Sequence, residues 1–186
     1  MDPANSLKNH FLIAMPNLGD PNFYHTVTYI CEHNDEGAMG IVINRPSATT
    51  LNDMLPQMGL KPTPQYMDLV VLEGGPVEQE HGFVIHTPTG EWQSSMSITD
   101  NVTLTTSRDI LETLTQADGL DKFIIALGYA GWGAGQLEQE ILENSWLTVP
   151  ANEEILFDLS YSERWQAAAN ILGIDLNQLS SQAGHA

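Results

Sequence analysis

The sequence predicts an α+β (mixed α/β) domain in which helices pack on a mixed β-sheet. Apolar or alternating runs, separated by Gly, Pro and Asn turns, fill the first half of the chain and are typical of paired strands. In the second half, strand-like runs alternate with segments whose apolar residues recur at helical spacing. A length of 186 residues favours one domain, spanning residues 1–186.

The first predicted elements are strands. Residues 11–15 (FLIAM) are a short apolar run closed by Pro16, which indicates a buried strand. Residues 25–31 (HTVTYIC) alternate, and residues 38–44 (AMGIVIN) return as an apolar strand after a short turn. These two segments therefore predict a hairpin.

A short helix and further strands follow. Residues 50–60 (TLNDMLPQMGL) combine a capping box, Thr50 with Asp53, with apolar residues at helical spacing. Residues 68–77 (DLVVLEGGPV) predict a β-branched strand that ends in a Gly-Gly-Pro turn. The segments GFVIHT and EWQSSMSI predict a second hairpin around residues 88–90.

The last part of the chain alternates strands and helices. The predicted elements are a helix capped by Thr106 and Asp109, a strand at residues 122–128 (KFIIALG), a helix carrying Leu137, Ile141 and Leu142, a strand at residues 154–159 (EILFDL), and a helix capped by Ser160 and Glu163.

The charge of the chain bears on its partners. The sequence has 24 acids against 6 Lys and Arg, a formal net charge of −18, and the cations are scattered. Binding a nucleic-acid backbone or an anionic membrane depends on clustered Lys and Arg. We therefore expect no direct contact with nucleic acid or membrane, and no duplex-DNA affinity above the non-specific background at physiological salt.

Cysteine and histidine usage limits redox and metal chemistry. The single cysteine excludes an intramolecular disulfide and a multi-cysteine zinc site. The histidines show neither an HExxH motif nor a two-His-carboxylate spacing, so we expect no metal and no other cofactor. The sequence has no apolar run of membrane-spanning length, and residues 11–15 are too few for a signal-peptide core. A reduced, cytoplasmic location is therefore expected.

Cys31 and His33 lie two apart in a predicted strand, a spacing that puts both side chains on one face. An imidazole within reach of a cysteine stabilises its thiolate, so the pair could serve as nucleophile and base. Alternatively, Cys31 is a small core residue beside Tyr29, as free cysteines usually are. Both interpretations are open, with slow reaction of the thiol as the expectation.

The segment LGYAGWGAGQL places four glycines and two aromatic residues between a strand and a helix. Three explanations are possible. The segment could be a phosphate-binding loop, although its glycines do not have the GxGxxG spacing of such loops. The glycines could instead allow two backbones to pack closely, or they could line a pocket for a small polar or peptide-like ligand. Aromatic residues interleaved with glycines favour the pocket. The ligand-binding residues predicted here are Tyr129, Gly131, Trp132 and Gln136.

Two turns at strand ends are predicted to line the same pocket. Asn44 and Arg45 could hydrogen-bond a carboxylate or an amide, and Gly74, Gly75 and Pro76 would allow close backbone approach. We expect both turns and the glycine-rich segment to share one concavity, with the cysteine near its edge. The alternative is that the Asn fixes its own turn and the Arg pairs with a surface acid.

The chain resembles the AlgH/YqgE family of bacterial proteins in the segments FLIAMPNLGDPNFYHTVTYICEHNDEGAMGIVINRP, VLEGGPVEQEHGFVIH, LGYAGWGAGQLEQEILENSWL and ERWQAAANILGID and in the terminal GHA. The resemblance implies one compact domain around a largely antiparallel mixed sheet, in bacterial cytoplasm, and brings no established reaction. Some family members are labelled as transcriptional regulators in connection with alginate production. Such a role does not require direct contact with DNA. The chain departs from the family at His81, because the family usually has an Arg at this position, directly before the residues GF. A role that depends on that Arg is therefore not expected in this chain.

These observations favour a soluble, cytoplasmic protein that binds a small molecule or a protein partner and has a regulatory role. The alternative is a cysteine-dependent or hydrolytic enzyme that uses Cys31. A direct DNA-binding regulator ranks third because of the charge.

Overall fold

Ten strands build one curled, largely antiparallel sheet in this computed structural model, which describes residues 1–116 and 119–183. The strands are β1 (His10–Ala14), β2 (Val27–Asn34), β3 (Gly37–Val42), β4 (Pro46–Thr50), β5 (Val70–Glu73), β6 (Val77–Thr87), β7 (Ser95–Ser97), β8 (Thr103–Thr105), β9 (Lys122–Gly133) and β10 (Trp146–Pro150). They lie in the order β10-β1-β2-β3-β9-β6-β8-β7, and β5 pairs with β4 and, in parallel, with β9. The predicted mixed, largely antiparallel α+β architecture is confirmed.

Short helices connect and cover the strands. The α-helices of the described residues are α1 (Leu51–Met54), α2 (Asp109–Leu114), α3 (Gln136–Leu142), α4 (Tyr161–Asn170) and α5 (Leu176–Ala183). Single 3-10 turns occupy Pro3–Asn5, Pro56–Met58 and Pro64–Tyr66, and a π-helical turn occupies Glu154–Asp158. None of these described helices has the length and hydropathy that a membrane crossing requires.

Both faces of the sheet are buried. Along β1, Phe11 and Ile13 belong to the core on one face, and Leu12 and Ala14 to the core on the other. Face A, the Phe11 side, is covered by the π-helical turn, α4 and α5. Face B, the opposite side, is covered by α1 and α2 over one half and by α3 over the other. The sheet is therefore the middle of three layers.

Several local predictions are confirmed. The strands β2 and β3 form the expected hairpin, with Asn34 opposite Gly37 at its turn. The capping box is present, because Thr50 Oγ1 accepts from the Asp53 N–H at 3.2 Å and Asp53 Oδ2 accepts from the Thr50 N–H at 3.2 Å. Both features depend on neighbours in the chain, which is why the sequence is sufficient to predict them.

The second predicted hairpin is wrong. The strands β6 and β7 do not pair with each other, since β8 lies between them and pairs with both. The buried hydroxyl of Thr105 contacts both neighbouring strands: its Oγ1 lies 2.8 Å from His86 Nε2 on β6 and 2.8 Å from Ser95 Oγ on β7. The strand β8 has the sequence Thr-Leu-Thr, with one apolar residue, so its hydrophobic pattern is too weak to predict a strand, and none was predicted there.

The predicted final strand is also wrong. Residues 154–159 begin with a π-helical turn, in which the Leu159 N–H donates to Glu154 O at 2.9 Å. The Asn152 side chain starts this turn by accepting from the Ile155 N–H at 2.9 Å. The sheet edge is formed instead by β10, which pairs with β1. Short apolar runs do not distinguish strands from buried helical turns.

Two predicted helix caps also differ from the structure. The helix α2 starts two residues later than a Thr106 cap requires, and the Thr106 N–H donates to Ser94 O at 2.9 Å instead. Ser160 does occupy the N-cap position of α4, but its hydroxyl lies 3.3 Å from Ser162 Oγ and bonds no backbone N–H of the helix.

Candidate functional site

A cavity of about 550 Å³ lies on face B, between β6, β9 and the α1–α2 layer. It is more enclosed than the other clefts of similar size in the described residues. We call it the His81 cavity. Apolar side chains form part of its walls, from Met54, Met58, Val84, Ile110, Leu111, Ile125 and Leu127. Its polar lining residues are Thr49, Gln57, Gln79, Glu80, His81, Thr105, Thr106, Ser107 and Arg108.

An irregularity in β6 creates this cavity. Val77 pairs with Tyr129 and Gly82 pairs with Leu127, so residues 78–81 arch out of the ladder opposite a single residue of β9, Gly128. Glu78 starts the arch in a left-handed conformation, with φ of 48°. A side chain at Gly82 would meet no atom within 4 Å of its Cβ, so open space lies beside the strand.

The polar rim of the His81 cavity is held in place. Arg108 Nε and Nη2 donate to Met58 O at 3.0 and 2.5 Å, and Nη1 pairs with Glu112 at 2.7 Å. The guanidinium therefore ties the turn after α1 to α2, and its charge is balanced locally. The exposed His81 ring packs against Phe83, with 5.1 Å between ring centroids.

A smaller cavity of about 250 Å³ adjoins the first, and the two share Gln79 and Leu127 as lining residues. We call it the Arg45 cavity. Of the residues predicted to bind a ligand, Arg45, Gly75 and Pro76 line it, together with Glu73. Arg45 pairs with no acid among the described residues, and donates to Asn22 O at 2.6 Å and Tyr24 O at 3.2 Å.

Asn44 stabilises its own surroundings. Its Oδ1 accepts from the Val27 N–H at 2.9 Å, and its Nδ2 donates to His25 O at 2.9 Å. Both hydrogen-bonding groups of the amide are therefore used to join the end of β3 to the start of β2. This is the alternative role considered for Asn44, and the residue does not line either cavity.

Trp132 is buried on face B with 6% of its surface exposed, so the expectation that it lines a concavity shared with both turns is wrong. Its indole N–H donates to Glu140 Oε1 at 3.2 Å, and Gln136 donates to Glu140 Oε2 at 2.9 Å. Tyr129 lies instead on face A, in edge contact with Phe83 at 5.6 Å. The predicted aromatic residues therefore face opposite sides of the sheet.

Gly128 is the reason for this separation. It has φ of 80° and acts as an extra residue in β9, so the alternation of side chains reverses after it. A Cβ on Gly128 would lie 2.4 Å from Gly75 O, and one on Gly75 would lie 2.1 Å from the Tyr129 carbonyl carbon. Gly74 is equally close to Gly128 O, at 2.3 Å. These glycines serve close backbone packing.

Gly131 has no such constraint. It is exposed, and a Cβ there would lie 3.4 Å from the nearest atom, Tyr129 Cε2. It lines neither cavity.

Cys31 and His33 do not share a face, contrary to the prediction from their spacing. Ile30 pairs with Gly40 and Glu32 with Met39, which leaves Cys31 as an extra residue at a β-bulge. Cys31 is fully buried in the face A core and away from any pocket edge, whereas His33 turns to face B. There the ring accepts from the Leu7 N–H at 2.8 Å through Nδ1 and bonds Glu138 through Nε2.

The environment of Cys31 opposes thiolate formation. Burial, with a smaller contribution from Glu32, raises the pKa of the thiol well above its ordinary value. We predict that native protein reacts with iodoacetamide at least a hundredfold more slowly than unfolded protein near pH 8, because the thiol is both protonated and inaccessible. Intact-mass measurements over time in buffer and in guanidinium chloride test this. Comparable rates in the two conditions would restore the nucleophile hypothesis.

Metal-binding side chains do not converge in the described part of the chain. Within residues 1–116 and 119–183, no group of three His, Cys, Asp or Glu side chains is placed to hold an ion.

Comparison with known proteins gives a consistent family assignment. The model of the AlgH-like family matches residues 11–177. A UPF0301 protein of Thioalkalivibrio sulfidiphilus is 54% identical over 186 residues, covering 100% of both chains. A UPF0301 protein of Nitrosococcus oceani is 54% identical over 180 residues, covering 96% of each. The terminal GHA of the resemblance lies outside the residues that the structure describes.

Solved structures show the same fold. The solution structure of the AlgH protein from Pseudomonas aeruginosa superimposes with a TM-score of 0.81 at 47% identity, covering 100% of this chain and 99% of that one. A crystal structure of a Corynebacterium diphtheriae protein gives a TM-score of 0.74 at 19% identity, covering 97% and 94%, which is a likeness of fold alone.

Proposed function

The chain belongs to the AlgH-like family, and we propose that it is a cytoplasmic regulatory protein that binds a small molecule in the His81 cavity. The observation that carries the proposal is the arch of β6 at residues 78–81, which opens an apolar space beside the sheet and surrounds it with a few polar groups. Specific small-molecule sites have this composition, and a volume of about 550 Å³ is within their usual range.

The charges at the cavity favour a neutral or cationic ligand. Glu80 and His81 stand at the rim, and Arg108 is already paired with Glu112. The formal net charge of −18 opposes the approach of a polyanion such as a nucleic-acid backbone. We therefore propose that any regulatory role is exerted through the ligand or a protein partner, without direct contact to DNA.

The hydroxyls of Thr105 and Ser107, which line the cavity, are held by neighbouring side chains, which favours binding over covalent catalysis. Ser107 Oγ donates to Asp109, and Thr105 Oγ1 is shared between His86 and Ser95. Thr105 does have a base beside it, because His86 Nε2 lies at 2.8 Å, but both residues are fully buried, whereas a nucleophile has to reach its substrate. The buried Cys31 lies in the core of face A, on the other side of the sheet from this cavity.

Substituting Gly82 tests the proposal, because a side chain there enters the cavity without a backbone clash. Gly82 has no atom within 4 Å of a built Cβ and no positive φ. We expect Gly82→Leu to fold normally and to weaken ligand binding at least tenfold, since the new side chain occupies the space. Gly131→Leu is the matched control on the exposed end of β9, and we expect it to bind like the wild type.

The measurement has two steps. Native mass spectrometry of protein purified under mild conditions identifies a retained small molecule, and a thermal-shift screen of small amides, alcohols and amines supplies probes in its absence. Calorimetric titration of both variants then compares affinities. If Gly82→Leu binds as well as the wild type, or if Gly131→Leu is the variant that loses binding, the His81 cavity is not the site.

A further inference from the structure

Arg164 is a buried cation on face A. It lies in the first turn of α4 with 5% of its surface exposed. Its guanidinium donates through Nη1 to Ile43 O and through Nε to Leu159 O at 3.2 Å. Nη2 has no hydrogen-bond acceptor among the described residues. Several N–H donors of this group therefore remain available.

The charge of Arg164 has no counter-ion in the described residues. The acids that form ion pairs there are bound to Met1, His33, Arg108 and Lys122. Burial lowers the pKa of Arg164 to about 10, so the group stays protonated at neutral pH. The hydrogen-bond partners of the guanidinium are two backbone carbonyls and no carboxylate, whereas buried charges in proteins are usually paired.

Arg164 borders a cavity of about 200 Å³ whose other walls are mostly apolar. The cavity lies where β5 and β9 separate, since these strands pair only from Leu72–Ala126 onward. Leu69, Val70, Phe123 and Phe157 contribute apolar surface, and the half-exposed Tyr161 stands at the rim. Asp158, the acid next to Phe157, is held by Lys122 at 3.0 Å.

We propose that this Arg164 cavity is a second binding site, separate from the His81 cavity, for a small carboxylate with an apolar body. The carboxylate oxygens accept from the free guanidinium N–H groups, in the planar geometry that Arg and carboxylate share. The apolar body lies against Leu69, Phe123 and Phe157. The ligand supplies the missing negative charge and fills the gap between the strands.

The volume of the cavity matches a ligand body of about one ring. An engineered protein cavity of about 150 Å³ accommodates benzene, so about 200 Å³ fits a benzoate or a short branched aliphatic acid. Inorganic phosphate matches the guanidinium but leaves the apolar walls unfilled. The formal net charge of −18 also repels multivalent anions more strongly than a monovalent acid.

Benzoate and its neutral isostere benzamide test the proposal on the wild-type protein. Heteronuclear NMR titration gives both affinities and locates the binding residues. We expect benzoate to bind at least tenfold more tightly than benzamide, because the charge-assisted hydrogen bond is made only by the acid. The largest shifts should fall on the backbone amides of Phe123, Phe157 and Arg164, and inorganic phosphate should leave them unchanged.

Arg164→Gln completes the test, with folding checked by its NMR spectrum. We expect the variant to bind benzoate and benzamide with equal, weak affinity. Should it fail to fold, the wild-type comparison still decides. Equal binding of the two probes to wild type, displacement of benzoate by phosphate, or shifts centred on His81 would each overturn the inference. The last outcome would leave the His81 site as the one that binds small molecules.

Discussion

Gly128→Ala is expected to lower the free energy of unfolding by about 3 kcal/mol or more, through a backbone clash and a strained conformation. A Cβ at this position would lie 2.4 Å from Gly75 O and 3.1 Å from Val77 O. Both contacts are to main chain, which cannot rotate away as a side chain can. The φ of 80° adds a further cost for any residue with a Cβ.

Gly131→Ala is the matched control, three residues further along β9. A Cβ there meets only Tyr129 Cε2, at 3.4 Å. We expect its free energy of unfolding to stay within about 0.5 kcal/mol of the wild type. Urea denaturation followed by circular dichroism gives both values. If the two variants lose stability equally, close packing is not the reason for the glycine at position 128.

The loss of stability should be accompanied by changes at the cavities. Gly128 lies opposite the arch of β6, and its Cβ would also lie 3.3 Å from Gln79 Cα. Gln79 lines both the His81 cavity and the Arg45 cavity. A side chain at Gly128 on β9 would therefore press on the arch of β6 that lines the proposed ligand site.

Irregular strands are what the sequence could not predict. The apolar run of the buried strand β1 and the hairpin of β2 and β3 are evident from residue type alone. The bulge at Cys31 and the arch at residues 78–81 have no such signal, because the extra residues are ordinary Cys, Glu, Gln and His. The single extra residue at Cys31 reverses the faces of the residues that follow it, so the spacing of two between Cys31 and His33 does not give a shared face.

Only part of the candidate site could be predicted from the sequence, again because the strand irregularities have little sequence signal. Arg45, Gly75 and Pro76 follow strand ends, where ligands commonly bind, and they do line a cavity. His81 and Gln79 lie within a strand by sequence pattern, and the α1–α2 wall is brought to them by tertiary packing. The run EQEH after a Gly-Gly-Pro turn was the available signal, since consecutive polar residues interrupt the alternation of a strand.

The glycine-rich segment performs two structural tasks. Its first glycine forms the bulge, and its aromatic and amide groups surround one carboxylate. Glu140 Oε1 accepts from the indole N–H groups of Trp132, at 3.2 Å, and Trp146, at 3.0 Å, while Gln136 donates to Oε2. This carboxylate joins α3 to both β9 and β10, and Phe23 packs on the two indoles at 6.1 and 5.4 Å between ring centroids.

Glu140→Ala should therefore lower the free energy of unfolding by about 2–4 kcal/mol, because two largely buried indole N–H groups lose their acceptor. Glu140→Gln should cost only about 1 kcal/mol, since an amide oxygen can still accept from both indoles without the added strength of a charge. Glu143→Ala removes the carboxylate of the residue that follows α3, which bonds only the Gln139 side chain, and we expect a change within about 0.5 kcal/mol. Urea denaturation followed by tryptophan fluorescence measures all three. A ranking in which the Gln variant is as unstable as the Ala variant would show that the negative charge of Glu140, and not its hydrogen-bonding oxygen, holds α3 to the sheet.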